Sequence, residues 1–81
     1  MTLAEGKIGY TYEVLKINLE SNTERRLEAL GLTEGTKIEV LNKKRSGTSI
    51  FSVRGTRLAV GQAIALGISV DGGRAQGRKQ L

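Results

Sequence analysis

Apolar and polar residues alternate from residue 8 onward. Ile8, Tyr10, Tyr12 and Val14 share one parity, and then the phase slips so that Leu15, Ile17 and Leu19 take the other. Period-two alternation places successive side chains on opposite faces of a strand, and a slip of one residue is what a β-bulge or sharp bend produces. The pattern predicts a first strand over residues 8–19 that bends part-way, and a curled strand helps to close a small barrel. A strand buried on both faces at its centre is the other reading, and it suits an isolated small domain less well. Ahead of it, residues 2–7 read as a lead-in segment anchored by Leu3, with Gly6 in a turn. The alternation breaks at 20–22, where Ser21, Asn22 and Thr23 each offer an N-cap oxygen. A short helix over residues 23–30 follows, with Leu27 and Leu30 on one face and Arg25, Arg26 and Glu28 turned outward.

Gly31 stands where the left-handed residue that ends a helix belongs, and Leu32 after it can fold back on the last turn. A helix this short does not survive alone, so its leucines must cap an open end of the sheet. Residues 33–36 (TEGT) form a turn with Gly35 at positive φ, and the second strand spans 37–41. Ile38 and Val40 face in, Lys37 and Glu39 face out, and Leu41 falls out of phase as the strand bends away. A polar, basic loop (42–48) ends in the hairpin signal Ser46-Gly47 and leads into Ser49–Val53, whose apolar residues are Ile50, Phe51 and Val53. Arg54-Gly55-Thr56 is a second hairpin turn, and 57–60 a fourth strand carrying Leu58 and Val60. Residues 61–65 make one helical turn with Ala63 and Ile64 inward, Gly67 ends it, and 68–70 is a closing strand. Periodicity is lost from Asp71, so 71–81 (DGGRAQGRKQL) reads as a disordered basic tail. The fold is therefore mainly β: one domain over 1–70, with about five strands, a short helix between strands one and two, and a helical turn before the last. With too few residues for two packed sheets, these strands make a small closed or nearly closed barrel.

Composition narrows the chemistry. A chain of 81 residues buries only roughly 60% of its unfolded surface, enough for one small core but not for a deep enclosed active site. It has no Cys and no His, which removes disulfides, Cys- or His-based metal sites and Ser-His-Asp or Cys/His catalysis. Neither a phosphate-cradling G-x-x-x-x-G-K-[ST] run nor a strand-linked G-x-G-x-x-G is present. The chain reads as a non-enzyme with no cofactor. Its first residues lack a basic stretch followed by an apolar one, and no apolar run approaches the ~20 residues of a membrane span. A cytoplasmic location follows as the expectation. Of the net charge of +5, the tail carries +2, and residues 1–70 hold ten basic against seven acidic side chains. That balance is too even to make nucleic acid the leading partner.

Two clusters invite a functional reading. Glu20, Glu24 and Glu28 share helical spacing, but without soft or borderline ligands beside them they serve better as complements to the helix N-terminus. No metal site is assigned. Lys43-Lys44-Arg45 in the basic loop, with Arg54 and Arg57 beyond it, can contact RNA, a phosphate or an acidic protein surface. Nucleic-acid readers usually interleave aromatics with such charges, and here Tyr10, Tyr12 and Phe51 sit in strands away from the loop. Tyr10 and Tyr12 share a face that is either core or an exposed platform.

The order and spacing of Arg26-Leu27, Leu30-Gly31-Leu32, Gly35 and Ile38-Glu39-Val40-Leu41 resemble the ferrous iron transport protein A (FeoA) family. The segments 53–60 (VRGTRLAV) and 61–65 (GQAIA) before Ile68-Ser69-Val70 extend the resemblance over residues 3–70. The family's frequent prolines are missing, since this chain has none. The resemblance implies an SH3-like barrel and an accessory role in ferrous iron uptake. It also implies a partner, the FeoB-type membrane permease with its cytoplasmic GTPase domain, which such a module modulates rather than carrying iron itself. The residues suggest a partner-binding groove between helix and barrel lined by Leu27, Leu30 and Leu32, with Arg26, Arg54 and Arg57 beside them. The alternative is a nucleic-acid-binding SH3-like domain that uses Lys43, Lys44, Arg45, Arg54 and Arg57 of its basic hairpin loops.

Overall fold

The structure, a computed structural model, describes residues 1–75. A 3-10 turn at Leu3–Glu5 precedes β1 (Tyr10–Ile17), α1 (Ser21–Ala29), β2 (Lys37–Lys43), β3 (Ser49–Val53), β4 (Thr56–Val60), α2 (Gln62–Leu66) and β5 (Ile68–Ala75). The strands form one antiparallel sheet in the order β4-β3-β2-β1-β5. Both phase slips in the sequence are irregularities in its register. On β1, Val14 pairs with Val70 and Lys16 with Ser69, so Leu15 is the extra residue and is exposed while Val14 and Ile17 are buried. On β2, Val40 pairs with Phe51 and Asn42 with Ile50, leaving Leu41 as the extra residue. Each bulge adds twist and bend. The curled sheet encloses Val14, Ile38, Val40, Phe51, Val53, Ile68 and Val70, with Leu3, Leu27 and Leu32 packed into the same core.

Tyr12 belongs to that core. It is 2% exposed, its hydroxyl accepts a bond from the Lys7 amide at 2.8 Å, and the half-buried Tyr10 stacks on it at 6.3 Å between centroids. The pair is structure, not a platform.

Three expectations need correction. The helix begins at Ser21 with Glu20 as its N-cap and no side-chain cap bond, so none of Ser21, Asn22 and Thr23 caps it. The Asn18 amide donates to the Gly67 carbonyl at 2.7 Å, which ties the end of β1 to the sheet, and Glu20, at φ −56° and ψ 145°, is the last non-helical residue before α1. In α2 the inward face is Ile64 and Ala65, while Ala63 is exposed. The segment closes a full α-turn (Ala65 amide to Gly61 carbonyl, 3.0 Å), which rotates Ala65 under the helix. Finally, β5 runs on through Asp71 to Ala75, where a tail was expected. Ladder bonds to β1 do not need apolar periodicity, and Glu13 pairs with Asp71, Thr11 with Arg74 and Tyr10 with Ala75. Gly72 and Gly73, at φ 106° and 44°, form the bulge opposite Tyr12. A Cβ at Gly73 would lie 3.0 Å from the Tyr12 ring, so glycine, which also takes the positive φ freely, suits the close approach there. The rest of the expected tail, 76–81, lies outside the described residues.

The N-terminal segment is tied down at both ends. Val70 donates to the Met1 carbonyl at 2.9 Å, and the Lys43 ammonium reaches back from β2 to the carbonyls of Ala4 (2.5 Å) and Gly6 (3.0 Å). Hydrogen bonding by a charged donor contributes on the order of 1.5–3 kcal/mol, here for the half-buried ammonium as a whole. Lys43→Met, which keeps the stem and removes both bonds, is expected to lower the unfolding free energy by about 2 kcal/mol in urea titration.

Candidate partner-binding surface

The residues expected to bind a partner are carried by the end of α1, the tip of the β3–β4 hairpin and the start of β4. α1 stops in a double-bonded cap: the Leu32 amide returns to the Leu27 carbonyl and the Gly31 amide to the Glu28 carbonyl, both at 2.9 Å, with Gly31 at φ 103°. This geometry brings the residue after the glycine against the residue three before the cap. Leu32 and Leu27 accordingly meet in the core, 0% and 6% exposed. Leu30, the cap residue between them, is left 49% exposed. The groove expected from three leucines is thus reduced to one: two of them hold the helix on the barrel, and only Leu30 is presented at the surface.

Arg54 comes to it from the hairpin. The turn Arg54-Gly55 has φ of 51° and 80°, the signature of a two-residue turn that favours Asn-Gly. Arg54 is the single non-glycine residue with positive φ among those described. Its stem lies over Gly31: a Cβ there would meet the Arg54 Cδ at 3.1 Å. Arg26 lies one helical turn before Leu30 on the exposed side of α1, and Arg57 is exposed on β4, paired with Ser52. Gly31, next to Leu30, and Arg54 therefore meet, while Arg26 is placed by helical spacing one turn before Leu30 and Arg57 lies three residues beyond Arg54 on β4. Arginine in a left-handed conformation is unfavourable by ~1–2 kcal/mol relative to glycine. Arg54→Asn is expected to raise the unfolding free energy by about 0.5 kcal/mol while removing the guanidinium from this surface. Thermal and urea melts check the first effect, and partner titration the second.

The basic residues of the nucleic-acid reading do not gather. Lys43 is engaged with the carbonyls of Ala4 and Gly6. Lys44 and Arg45 are in the 44–48 loop at one end of β3, and Arg54 is in the turn at its other end. Five strand residues separate them by roughly 16 Å. Phe51 and Tyr12 are buried, so no stacking face accompanies either group. Glu24 is half-buried on α1 between the exposed Glu20 and Glu28, and among the described residues no three His, Cys, Asp or Glu side chains converge as a metal set would. One further depression, about 270 Å³, opens at the β1–β5 bulge between Thr11, Glu13, Lys37 and Asp71. Glu13 faces Asp71 on one neighbouring strand and Lys37 on the other.

The FeoA domain model matches residues 1–72. This chain belongs to the FeoA family. A Methanocaldococcus jannaschii chain provisionally named Fe(2+) transport protein A is 32% identical over 69 residues, 85% of this chain and 83% of that one. The solution structure of FeoA from Chlorobium tepidum superposes with a TM-score of 0.82 at 33% identity, covering 98% of this chain and 81% of the other. FeoA of Stenotrophomonas maltophilia, solved with zinc and described as an SH3 domain protein and a candidate ferrous iron transport activating factor, gives 0.73 at 29% identity over 88% and 89%. The FeoA barrel of this chain is thus SH3-like, as the resemblance implied. No helix among the described residues is long and apolar enough to cross a membrane.

Two features of this FeoA surface differ from what its sequence pattern predicts. Which leucine stays outside follows from the cap itself, since a glycine at 31 pairs residues 27 and 32; that signal was available. The approach of Arg54 to Gly31 is tertiary, and nothing local announces it.

Proposed function

We propose that this chain is a small cytoplasmic accessory protein of ferrous iron uptake that binds and modulates the GTPase region of a FeoB-type permease. It does so as a binding module, without carrying iron and without catalysis of its own. The observation that carries the reading is the patch in which a half-exposed Leu30 lies beside Arg54. A large apolar residue half exposed at the surface, next to a glycine over which an arginine stem lies, offers an apolar contact beside a residue type that is enriched at interfaces. The unfavourable backbone of Arg54 supports the same reading, because strain of this kind persists where a side chain is needed. The family's association with Fe(2+) transport, and the activating role suggested for the Stenotrophomonas protein, supply the partner class.

Calorimetric titration of the purified cytoplasmic region of the permease tests it. Wild-type protein is expected to bind, and Leu30→Ala to weaken binding about tenfold, the loss typical of a hot-spot residue, with no change in melting temperature. Wild-type affinity in Leu30→Ala would place the contact elsewhere.

A further inference from the structure

Among the described residues, the far edge of the sheet at β4 is unpaired. β4 pairs with β3 from Val53↔Thr56 to Ser49↔Val60, and no described strand takes its other side. Because Arg54-Gly55 is a two-residue turn, Val53 and Thr56 are the pair that exchanges both hydrogen bonds. The alternation then commits Thr56, Leu58 and Val60 to β3. It turns the amides and carbonyls of Arg57 and Ala59 outward, four backbone groups in a row.

Charge singles out this edge. Residues 41–70 contain five basic and no acidic side chains, whereas residues 1–40 contain seven acidic against five basic. With Lys43 bound internally, the other four bracket β4. Arg54 and Arg57 lie at its start. Lys44 and Arg45 lie in the loop at its end, where a Cβ at Gly47 would come within 2.8 Å of Gln62, two residues past the strand. Leu58, half-buried at the rim of the core, offers an apolar contact beside the edge.

An open strand edge is a template for another strand unless it is covered or repelled. Here the charge repels a second copy of the same edge. It attracts the opposite sign. A single-stranded nucleic acid would also be attracted, but it needs aromatic faces, and β4 has none. We infer that the β4 edge is a docking site for an extended acidic segment of a partner protein, added to the sheet as a sixth strand through Arg57 and Ala59. The inference rests on reading this chain as a binding module and holds whether or not the partner is a permease.

Amide exchange on the full chain tests it, with an acetylated, amidated peptide of alternating Glu and Val as the probe. Exchange at Arg57 and Ala59 is expected to slow about tenfold at saturation, with binding that weakens as salt rises. Ala59→Pro removes an outward amide at a position where an edge strand tolerates proline, so it should abolish protection at Arg57. Arg57→Glu, which leaves the backbone alone, should weaken peptide binding. Absence of peptide binding at low salt overturns the inference, as does binding without protection of these two amides. So does slowing of the same amides by an oligouridylate but not by the peptide, or by self-association of the chain alone. Because the probe is synthetic, a failed permease titration and a failed peptide titration are separate results.

Discussion

Leu32→Ala is expected to cost about 3 kcal/mol of unfolding free energy, and Leu30→Ala less than about 0.5. The two residues are two positions apart, equal in size, and both follow the apolar pattern of the helix end. Leu32 is fully buried in the core beside Leu27. Truncating it removes buried methyl groups and leaves a cavity that the double-bonded cap at Gly31 cannot collapse. Leu30 is half exposed and already in water. Urea titration of both variants decides the matter, since a fall in midpoint at constant slope reports stability alone. Equal losses would mean that Leu30 is part of the core and unavailable as an anchor.

Gly67→Ala should be nearly as damaging, by about 3 kcal/mol and a melting temperature roughly 12–24 °C lower. Gly67 ends α2 and opens into β5, and the end of β1 runs against it. A Cβ there would overlap the Leu19 side chain and come within 2.8 Å of the Asn18 carbonyl oxygen. The Leu19 side chain can turn aside. The Asn18 carbonyl cannot, because the Asn18 amide is bonded to the Gly67 carbonyl at 2.7 Å. The cost is therefore backbone displacement between β1, α2 and β5, not a rotamer change. The φ of Gly67, −90°, is open to any residue, so conformational strain would not be the cause. Gly61, which has open space around its Cβ position and φ −70°, is the control: Gly61→Ala should stay within about 0.5 kcal/mol. A Gly67→Ala variant that melts with wild type would show that the junction is loosely packed.

What was legible in the sequence was whatever local physics dictates. Gly31 and Gly35 were recognisable because a helix end and a tight turn need positive φ, and both have it, at 103° and 87°. The bends in β1 and β2 were visible as parity slips at Leu15 and Leu41, because a bulge moves one side chain to the other face. The continuation of β5 was not visible. Asp71-Gly72-Gly73 has no apolar rhythm, and it pairs because β1 offers a partner, not because its own residues favour a strand. The use of Lys43 was equally hidden. In sequence it belongs to a basic run, and only the fold brings it to the carbonyls of Ala4 and Gly6. The candidate site divides along the same line. Leu30 could be chosen over Leu27 and Leu32 from the cap alone, whereas the contact of Arg54 with Gly31 needed the barrel to close.

The most direct test of the account is an amide chemical-shift titration of the full chain with the purified cytoplasmic GTPase region of a FeoB-type permease, with and without a GTP analogue. Shifts are expected to concentrate at Arg26, Leu30, Gly31, Arg54 and Arg57, with the bulge residues Glu13 and Asp71 unmoved. No perturbation at saturating partner, or perturbation centred on Glu13, Lys37 and Asp71 instead, would contradict it.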